Sequence, residues 1–410
     1  MIQPIKTENR IFYLDILRGI AIFFIFSANI VYFSGYFDFP KEARLTSTLF
    51  IFDDYLDFIL YALVDGKFYS IFSLLFGIGC AIQYHNLTKN NKPFAPFFRR
   101  RMSWLLVFGL IHLLLFWAGD ILTLYALLGF VLIGFVNFSN KKLLYFAGIL
   151  ILLPILNWVI IYILGWNYPS FFFYLNGRYF EYFNLPVLEF DGLKMTDFKA
   201  WLLNESLLDF CKMNIGNSLI RIGGILDEGR IFKVLGIFLI GLWAGRKIIH
   251  ENLLENTNFL KKAAFWGFCI GLPISLFRAY IHFYIDKSAI WELTYTISYA
   301  FGTVPLALGY AALLALIYKK MPFLFGFAFV GKMALSNYLF QTALATIIFY
   351  GIGFGFAGKL GFSVIFAMAV VIYSAQVLLS IWWLKHHKFG PMEWLWRQLT
   401  YRTLTNKNNG

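Results

Sequence analysis

Apolar runs of about 20 residues recur along nearly the whole chain, and that repetition limits the fold more than any single motif does. A helix of that length rises ~30 Å, the thickness of a bilayer's hydrocarbon core. The runs are continuously apolar instead of alternating, which argues against a transmembrane β-barrel. Only 14% of the 410 residues are charged, against ~25% in soluble domains. The sequence therefore reads as all-α: a polytopic transmembrane helical bundle, a single integral membrane domain over residues 1–410, with the lipid bilayer as its first partner.

Ten spans are expected, at about 11–33, 68–84, 103–118, 121–137, 143–165, 231–249, 263–284, 294–318, 324–350 and 362–384. Every second connection is basic. Arg99, Arg100 and Arg101 precede the third span, Lys141 and Lys142 the fifth, Lys261 and Lys262 the seventh, and Lys319 and Lys320 the ninth. Cationic loops stay in the cytoplasm, so both termini are expected there, with 385–410 as a cytoplasmic C-terminal segment. The same rule absorbs the formal charge of +13, and no nucleic-acid partner is expected. Residues 34–67 and 166–230 then fall outside, and both are patterned enough to form amphipathic helices at the outer surface. The first run follows Lys6 and Arg10 without a small-residue cleavage site, so it reads as a retained helix. Cys80, Cys211 and Cys269 are too scattered for a disulfide framework.

Candidate functional residues are the ionisable and amide groups set inside apolar runs, where they are costly unless they serve a purpose. The first is in SWLLVFGLIHLLLFWAGDILTLYALLGFVLIGFV, residues 103–136, read as two apolar helices meeting at Gly119-Asp120. Helix rise from Arg101 carries His112 to near mid-membrane, about 16 Å from the inner surface. A neutral imidazole there is a competent general base or nucleophile; the bland alternative is a ring held by one hydrogen bond to a neighbouring helix. Asp120 follows about 12 Å along the axis. No direct bond between the two is expected, and Asp120 reads as a cap for the next helix or a lining of the outer opening.

Other polar groups form stripes. Asp15 and Arg18 can pair at i,i+3, and Asn29 returns to the same face towards the outer end. Lys67 opens the second span, where Ser70, Ser73 and Gly77 read as a packing face. Asn337 and Gln341 set two amides on one face of the ninth span, as oxyanion donors or as interhelical glue. Arg278, late in the seventh span, can pair with an outer acid or meet an anionic acceptor. Arg221, Asp227, Glu228 and Arg230 read as a solvated cluster, GLWAG (241–245) as a small-residue packing motif, and Glu393 with Arg397 as an i,i+4 pair. No nucleotide-binding loop and no metal-ligand spacing is found.

Five motifs together, LDILRGIAIFFIFSANI (14–30), KFYSIFSLLFGIG (67–79), RRRMSWLLVFGLIHLLLFWAGDILTLYALLG (99–129), VGKMALSNYLFQT (330–342) and KFGPMEWLWRQLTYR (388–402), resemble the YeiB-like family of bacterial membrane proteins. The C-terminal half of that family is a domain of unknown function. The likeness covers nearly the full chain and implies a multi-pass protein of the bacterial cell (inner) membrane. More distantly, the chain is similar to transmembrane acyltransferases, among them the O-acyltransferases of surface polysaccharides and the lysosomal heparan glucosaminide N-acetyltransferase. Those enzymes move an acyl group from cytoplasmic acyl-CoA to a sugar across the membrane, using an embedded histidine. It usually ends their first span, where this chain has Asn29, so the resemblance implies that such chemistry has moved to His112.

The expectation is an acyltransferase using acyl-CoA, such as acetyl-CoA, as donor and an extracytoplasmic envelope glycan as acceptor, without a permanently bound cofactor or metal. His112, Asp120, Asn337 and Gln341 form the expected catalytic group. Asp15, Arg18, Asn29, Lys67, Arg99, Arg100, Arg101 and Arg278 form the expected binding group, and a homodimer is an allowed assembly. A transporter or flippase of a small envelope-related substrate, with His112 coupled to protons, is the alternative. A non-catalytic scaffold is the third reading.

Overall fold

The computed structural model describes residues 11–40, 52–190, 192–286 and 288–405. Lys6, Arg10 and residues 41–51 of the outer segment 34–67 lie outside the described residues.

The chain is almost wholly helical, as the apolar runs require. Its first part comprises α1 (Phe12–Phe33), α2 (Asp53–Leu63), α3 (Lys67–Lys89), α4 (Phe94–Ile111), α5 (Leu122–Leu132) and α6 (Asn140–Trp158). The segment expected outside contains α7 (Ser170–Tyr182), an unexpected hairpin of β1 (Val187–Phe190) and β2 (Leu193–Thr196), α8 (Phe198–Leu203) and α9 (Leu207–Asp227). The remainder is α10 (Arg230–Glu251), α11 (Thr257–Tyr284), α12 (Ala289–Ile317), α13 (Phe325–Lys332), α14 (Ala334–Phe349), α15 (Phe362–His386) and α16 (Pro391–Thr405).

Helices occur at all ten expected places, though they differ in length and apolarity. Among the described residues six helical segments are long and apolar enough to cross a membrane, or seven if α13 and α14, bent by 81° at Met333, make one span. The differences have physical reasons. α5 has 11 residues, about 16 Å of rise, too short for a ~30 Å core. α4 carries Arg99, Arg100 and Arg101, and α10 carries Arg230, Lys233, Arg246 and Lys247.

Packing follows the small residues. α3 and α10 meet at Gly77 and Gly241, where a Cβ on Gly241 would run into the Leu74 carbonyl and one on Gly77 into that of Phe238. Two backbones at that range need glycine on both sides, which is the packing role expected of GLWAG. Lipid-facing surface is plain on α6 and α15, where Leu156 is 52% exposed and Leu378 69%; apolar area on that scale suits hydrocarbon, not water. α2 is amphipathic, with Asp53 and Asp57 turned inward and Asp54 exposed. Asp53 accepts hydrogen bonds from the Phe362 and Ser363 amides, both at 2.8 Å, and so caps α15, while Tyr55 and Ile59 face out.

Candidate functional site

The site is built on a defect in α4. At His112 the α-helix widens into a π-helical turn, His112–Phe116, closed by Trp117 N–H donating to the His112 carbonyl at 2.8 Å. Such insertions loosen the ladder and recur at functional sites. Trp117 then turns extended and stacks on Phe33 of α1, with ring centres 4.2 Å apart. Asn214 of α9 splints the break: its Nδ2 donates to the Leu113 carbonyl at 3.0 Å and its Oδ1 accepts from the Ala118 amide at 3.1 Å.

The reversal brings Asp120 back beside the histidine. His112 Nδ1 lies 2.9 Å from Asp120 Oδ1, which corrects the expectation that no direct bond would form. That expectation measured along a continuous helix axis, and here the axis ends at the π turn. Asp120 Oδ2 accepts from the Thr123 amide at 2.7 Å, so the carboxylate also caps α5 as expected. Arg221 of α9 approaches the Asp120 carbonyl at 3.4 Å. On the other side, His112 Nε2 lies 2.9 Å from Thr342 Oγ1 of α14.

Proton placement follows from the partners. With a carboxylate at Asp120, which only accepts, Nδ1 carries the hydrogen, and Nε2 of an uncharged ring then accepts from the Thr342 hydroxyl, which also lies 3.4 Å from the Tyr338 carbonyl. The arrangement is carboxylate, imidazole and hydroxyl in series, the same order of groups that activates a hydroxyl in acyl-transfer sites. All three residues are buried: His112 is 1% exposed, Asp120 2% and Thr342 2%.

A cavity of about 250 Å³ comes within one side chain of this series. Its inner wall includes Ile121, Tyr125 and Tyr338, and the Tyr338 ring centre is 5.1 Å from that of His112. Phe72, Phe76, Phe98 and Leu105 make its middle apolar, and Arg18, Arg101 and Lys332 ring its mouth with Glu393 and Trp396. Arg18 pairs with Asp15 at 3.1 Å as the spacing predicts, and the Arg101 guanidinium sits 3.7 Å above the Trp396 ring. Glu393 accepts from the Leu335 amide at 2.7 Å and from the Ser336 amide at 3.1 Å, capping α14 from α16. Burial pushes the Glu393 carboxyl above its usual range, against the pull of those donors.

A larger cavity, about 610 Å³, lies at the other end of the bundle. Arg278 lines it, pairing with Asp65 at 2.8 Å and donating to Tyr61 and Tyr295 at 2.9 and 2.7 Å. Behind it two lysines are fully buried. Lys67 Nζ reaches the Tyr61 carbonyl at 3.4 Å, and Lys233 Nζ donates to the Tyr299 carbonyl at 3.0 Å and to the Thr303 hydroxyl.

The expected residues thus divide. His112 and Asp120 come together; Arg18 and Arg101 reach the smaller cavity, and Arg278 the larger one. Asn337 and Gln341 bind α14 to α15: Asn337 Nδ2 donates to Ser380 at 3.1 Å and Gln341 Nε2 to Gln376 at 2.8 Å. That is the interhelical glue of the two readings. Asn29 is half-buried and lines neither cavity, Arg99 is exposed, and Arg100 Nε donates to the Leu399 carbonyl at 3.0 Å. Arg221, Asp227, Glu228 and Arg230, expected as a solvated cluster, sit between Asp120 and the larger cavity. Thr342, Asn214 and Lys233 were not anticipated. Lys233 was legible as a lone cation inside an apolar run, whereas nothing local marks Thr342 or Asn214.

Residues 244–403 match a family described as a protein of unknown function, DUF418. The chain is 30% identical to the uncharacterized protein YxaH of Bacillus subtilis (strain 168), over 98% of this chain and 96% of that one. It is 28% identical to the uncharacterized protein YeiB of Escherichia coli (strain K12), over 95% and 96% of the two chains. No solved structure matches it. Near-complete coverage at that identity, together with the helices just described, makes the chain a member of the YeiB-like family of multi-pass membrane proteins.

Proposed function

We propose that the protein is a membrane-embedded acyltransferase of the bacterial inner membrane, taking its acyl group from cytoplasmic acyl-CoA and delivering it to an extracytoplasmic envelope glycan. One observation carries this reading: the Asp120–His112–Thr342 series lies one side chain behind the inner wall of an apolar cavity whose mouth holds Arg18, Arg101 and Lys332. Three cations at a mouth and hydrocarbon within suit an amphiphile with an anionic head. On the orientation expected from the basic connections, that mouth faces the cytoplasm.

In this reading Tyr338 is the gate. When its ring swings aside, the thioester end of the donor meets His112. The acceptor's hydroxyl or amine takes the place that Thr342 holds at Nε2 and gives up its proton there as it attacks the thioester carbonyl. The carbon–sulfur bond breaks, and the imidazolium returns that proton to the departing thiolate. Asp120 steadies the transient charge and keeps the ring oriented.

The test uses purified protein and labelled acetyl-CoA. Saturable binding, and acyl incorporation that disappears in His112→Gln while binding persists, supports the reading. A protein that neither binds the donor nor releases its acyl group refutes it.

A transporter remains the second reading, because α13 and α14 form a helix broken by 81° at Met333 and broken helices build transporter binding sites. One residue also touches tyrosines of both cavities: Tyr125 of the smaller one donates to the Tyr69 carbonyl at 3.0 Å, and the Tyr69 hydroxyl meets that of Tyr299 in the larger one. Solute flux in sealed vesicles, without donor binding, would favour it.

A further inference from the structure

We infer that the larger cavity is a binding site for an organic ammonium ion, of the polyamine or alkylammonium class. This inference stands on the lining of that cavity and does not need acyl transfer.

Charge is the first argument. In a chain of net +13, this cavity is lined by six carboxylates, Asp57, Asp65, Asp227, Glu228, Asp286 and Glu292, and by two guanidiniums. Arg278 is matched by Asp65 at 2.8 Å and Arg230 by Glu228 at 2.5 Å. Leaving Asp57 out of the count as well, the three carboxylates Asp227, Asp286 and Glu292 set the sign of the chamber, opposite to that of the smaller cavity with its three cations and one acid.

The walls give the second argument, and they already hold a cation. The Arg278 guanidinium carbon lies 4.7 to 4.8 Å from the ring centres of Tyr61, Tyr295 and Tyr299. Arg278 is 4% exposed, and its Nε and Nη1 have no hydrogen-bond partner among the described residues, so ring faces take the place of acceptors on that side. Tyr32, Trp158, Tyr162 and Trp291 add further aromatic side chains to the lining. Aromatic faces backed by carboxylates recognise ammonium groups by combining ring quadrupole with net charge.

Size and geometry separate an organic cation from a metal. Among the described residues no three His, Cys, Asp or Glu side chains converge closely enough to hold a metal ion. A volume of about 610 Å³ falls within the ~300–1,000 Å³ range of small-molecule sites. Spread carboxylates in a chamber of that size suit a ligand with its charges spaced along a chain.

The experiment titrates spermidine, tetramethylammonium and citrate into the full-length protein in detergent, following tryptophan fluorescence, since Trp158 and Trp291 line the chamber. Saturable spermidine binding is expected, weakened on the order of three- to tenfold by Asp227→Asn or Glu292→Gln and unchanged by Arg101→Leu in the other cavity. Asp286 is exposed, so Asp286→Asn serves as a variant that leaves packing intact, and melting temperatures verify folding of all four. Competition by an ethanolamine-headed lipid would assign the ammonium group to a lipid head, and absence of competition to a soluble amine. No saturation with spermidine, equal response to citrate, or affinity unmoved in all three carboxylate variants overturns the inference.

Discussion

His112 Nδ1 and Asp120 Oδ1 are 2.9 Å apart because the chain leaves its helix between them. Asp120→Asn tests what that bond does. The amide has one oxygen where the carboxylate offered two to Nδ1–H and the Thr123 amide. The ring can answer by moving its hydrogen to Nε2, which keeps both contacts but removes the lone pair facing Thr342. Stability should therefore fall by only about 1 to 3 kcal/mol. Acyl incorporation, on the proposed chemistry, should fall by roughly 10³- to 10⁴-fold, as in other wrong-tautomer variants. Thermal midpoints in detergent beside incorporation rates separate the two effects. Equal, modest losses in both would leave the pair with a structural role alone.

The π-helical turn has its own test in Asn214. Asn214→Ala leaves the Leu113 carbonyl and the Ala118 amide without their partner in a buried site. Each unsatisfied group costs about 1 to 3 kcal/mol, so a loss near 3 kcal/mol is expected. Hydrogen exchange should quicken first at residues 113–120, because that backbone is the part Asn214 holds. Uniform destabilisation with no local quickening would show that α4 keeps its break without the splint.

These two residues mark where the sequence could be read and where it could not. Periods and compositions that act over a few residues were legible. The helices, the Asp15–Arg18 pair, the cap on α5 and the glycine seam all follow from near neighbours. The His112–Asp120 contact depends instead on a π turn fixed by Asn214, about a hundred positions further on, and Thr342 arrives from 230 positions away. Such partners are set by tertiary packing, which no local spacing encodes. Charged side chains inside α4 and α10 likewise find partners within the bundle, such as the Tyr299 carbonyl for Lys233, and that pairing too is set by tertiary packing.

The seam between α3 and α10 predicts a steep size dependence at Gly241. A Cβ there would meet the Leu74 carbonyl and the Gly77 Cα, backbone atoms that cannot turn aside as a side chain would. Gly241→Ala should cost about 1 to 3 kcal/mol, the usual range for overpacking, and Gly241→Val more. Gly79→Ala is the control, since nothing lies within 4 Å of a Cβ at that position. Detergent melting curves that rank the variants Gly79→Ala, Gly241→Ala, Gly241→Val in order of falling stability support the packing account. Equal behaviour at positions 79 and 241 would refute it.

At the mouth of the smaller cavity the charges should act on affinity with opposite signs. Lys332→Gln removes one of three cations and should weaken binding of an anionic amphiphile such as acyl-CoA by on the order of three- to tenfold. The deficit should shrink as salt is raised, because mouth charges steer and screen at the range of a Debye length. Arg101→Leu should cost more, since the guanidinium also covers the Trp396 ring at 3.7 Å. Glu393→Gln removes the only acid lining that cavity among the described residues and should strengthen binding. It should at the same time lower stability by about 1 kcal/mol, because the carboxylate caps α14 through Leu335 and Ser336. Tighter binding in a less stable protein is a combination that general damage does not produce. Donor titrations at low and high salt, read beside the melting midpoint of each variant, would reveal it, and a Glu393→Gln protein that binds more weakly would remove the electrostatic account of the mouth.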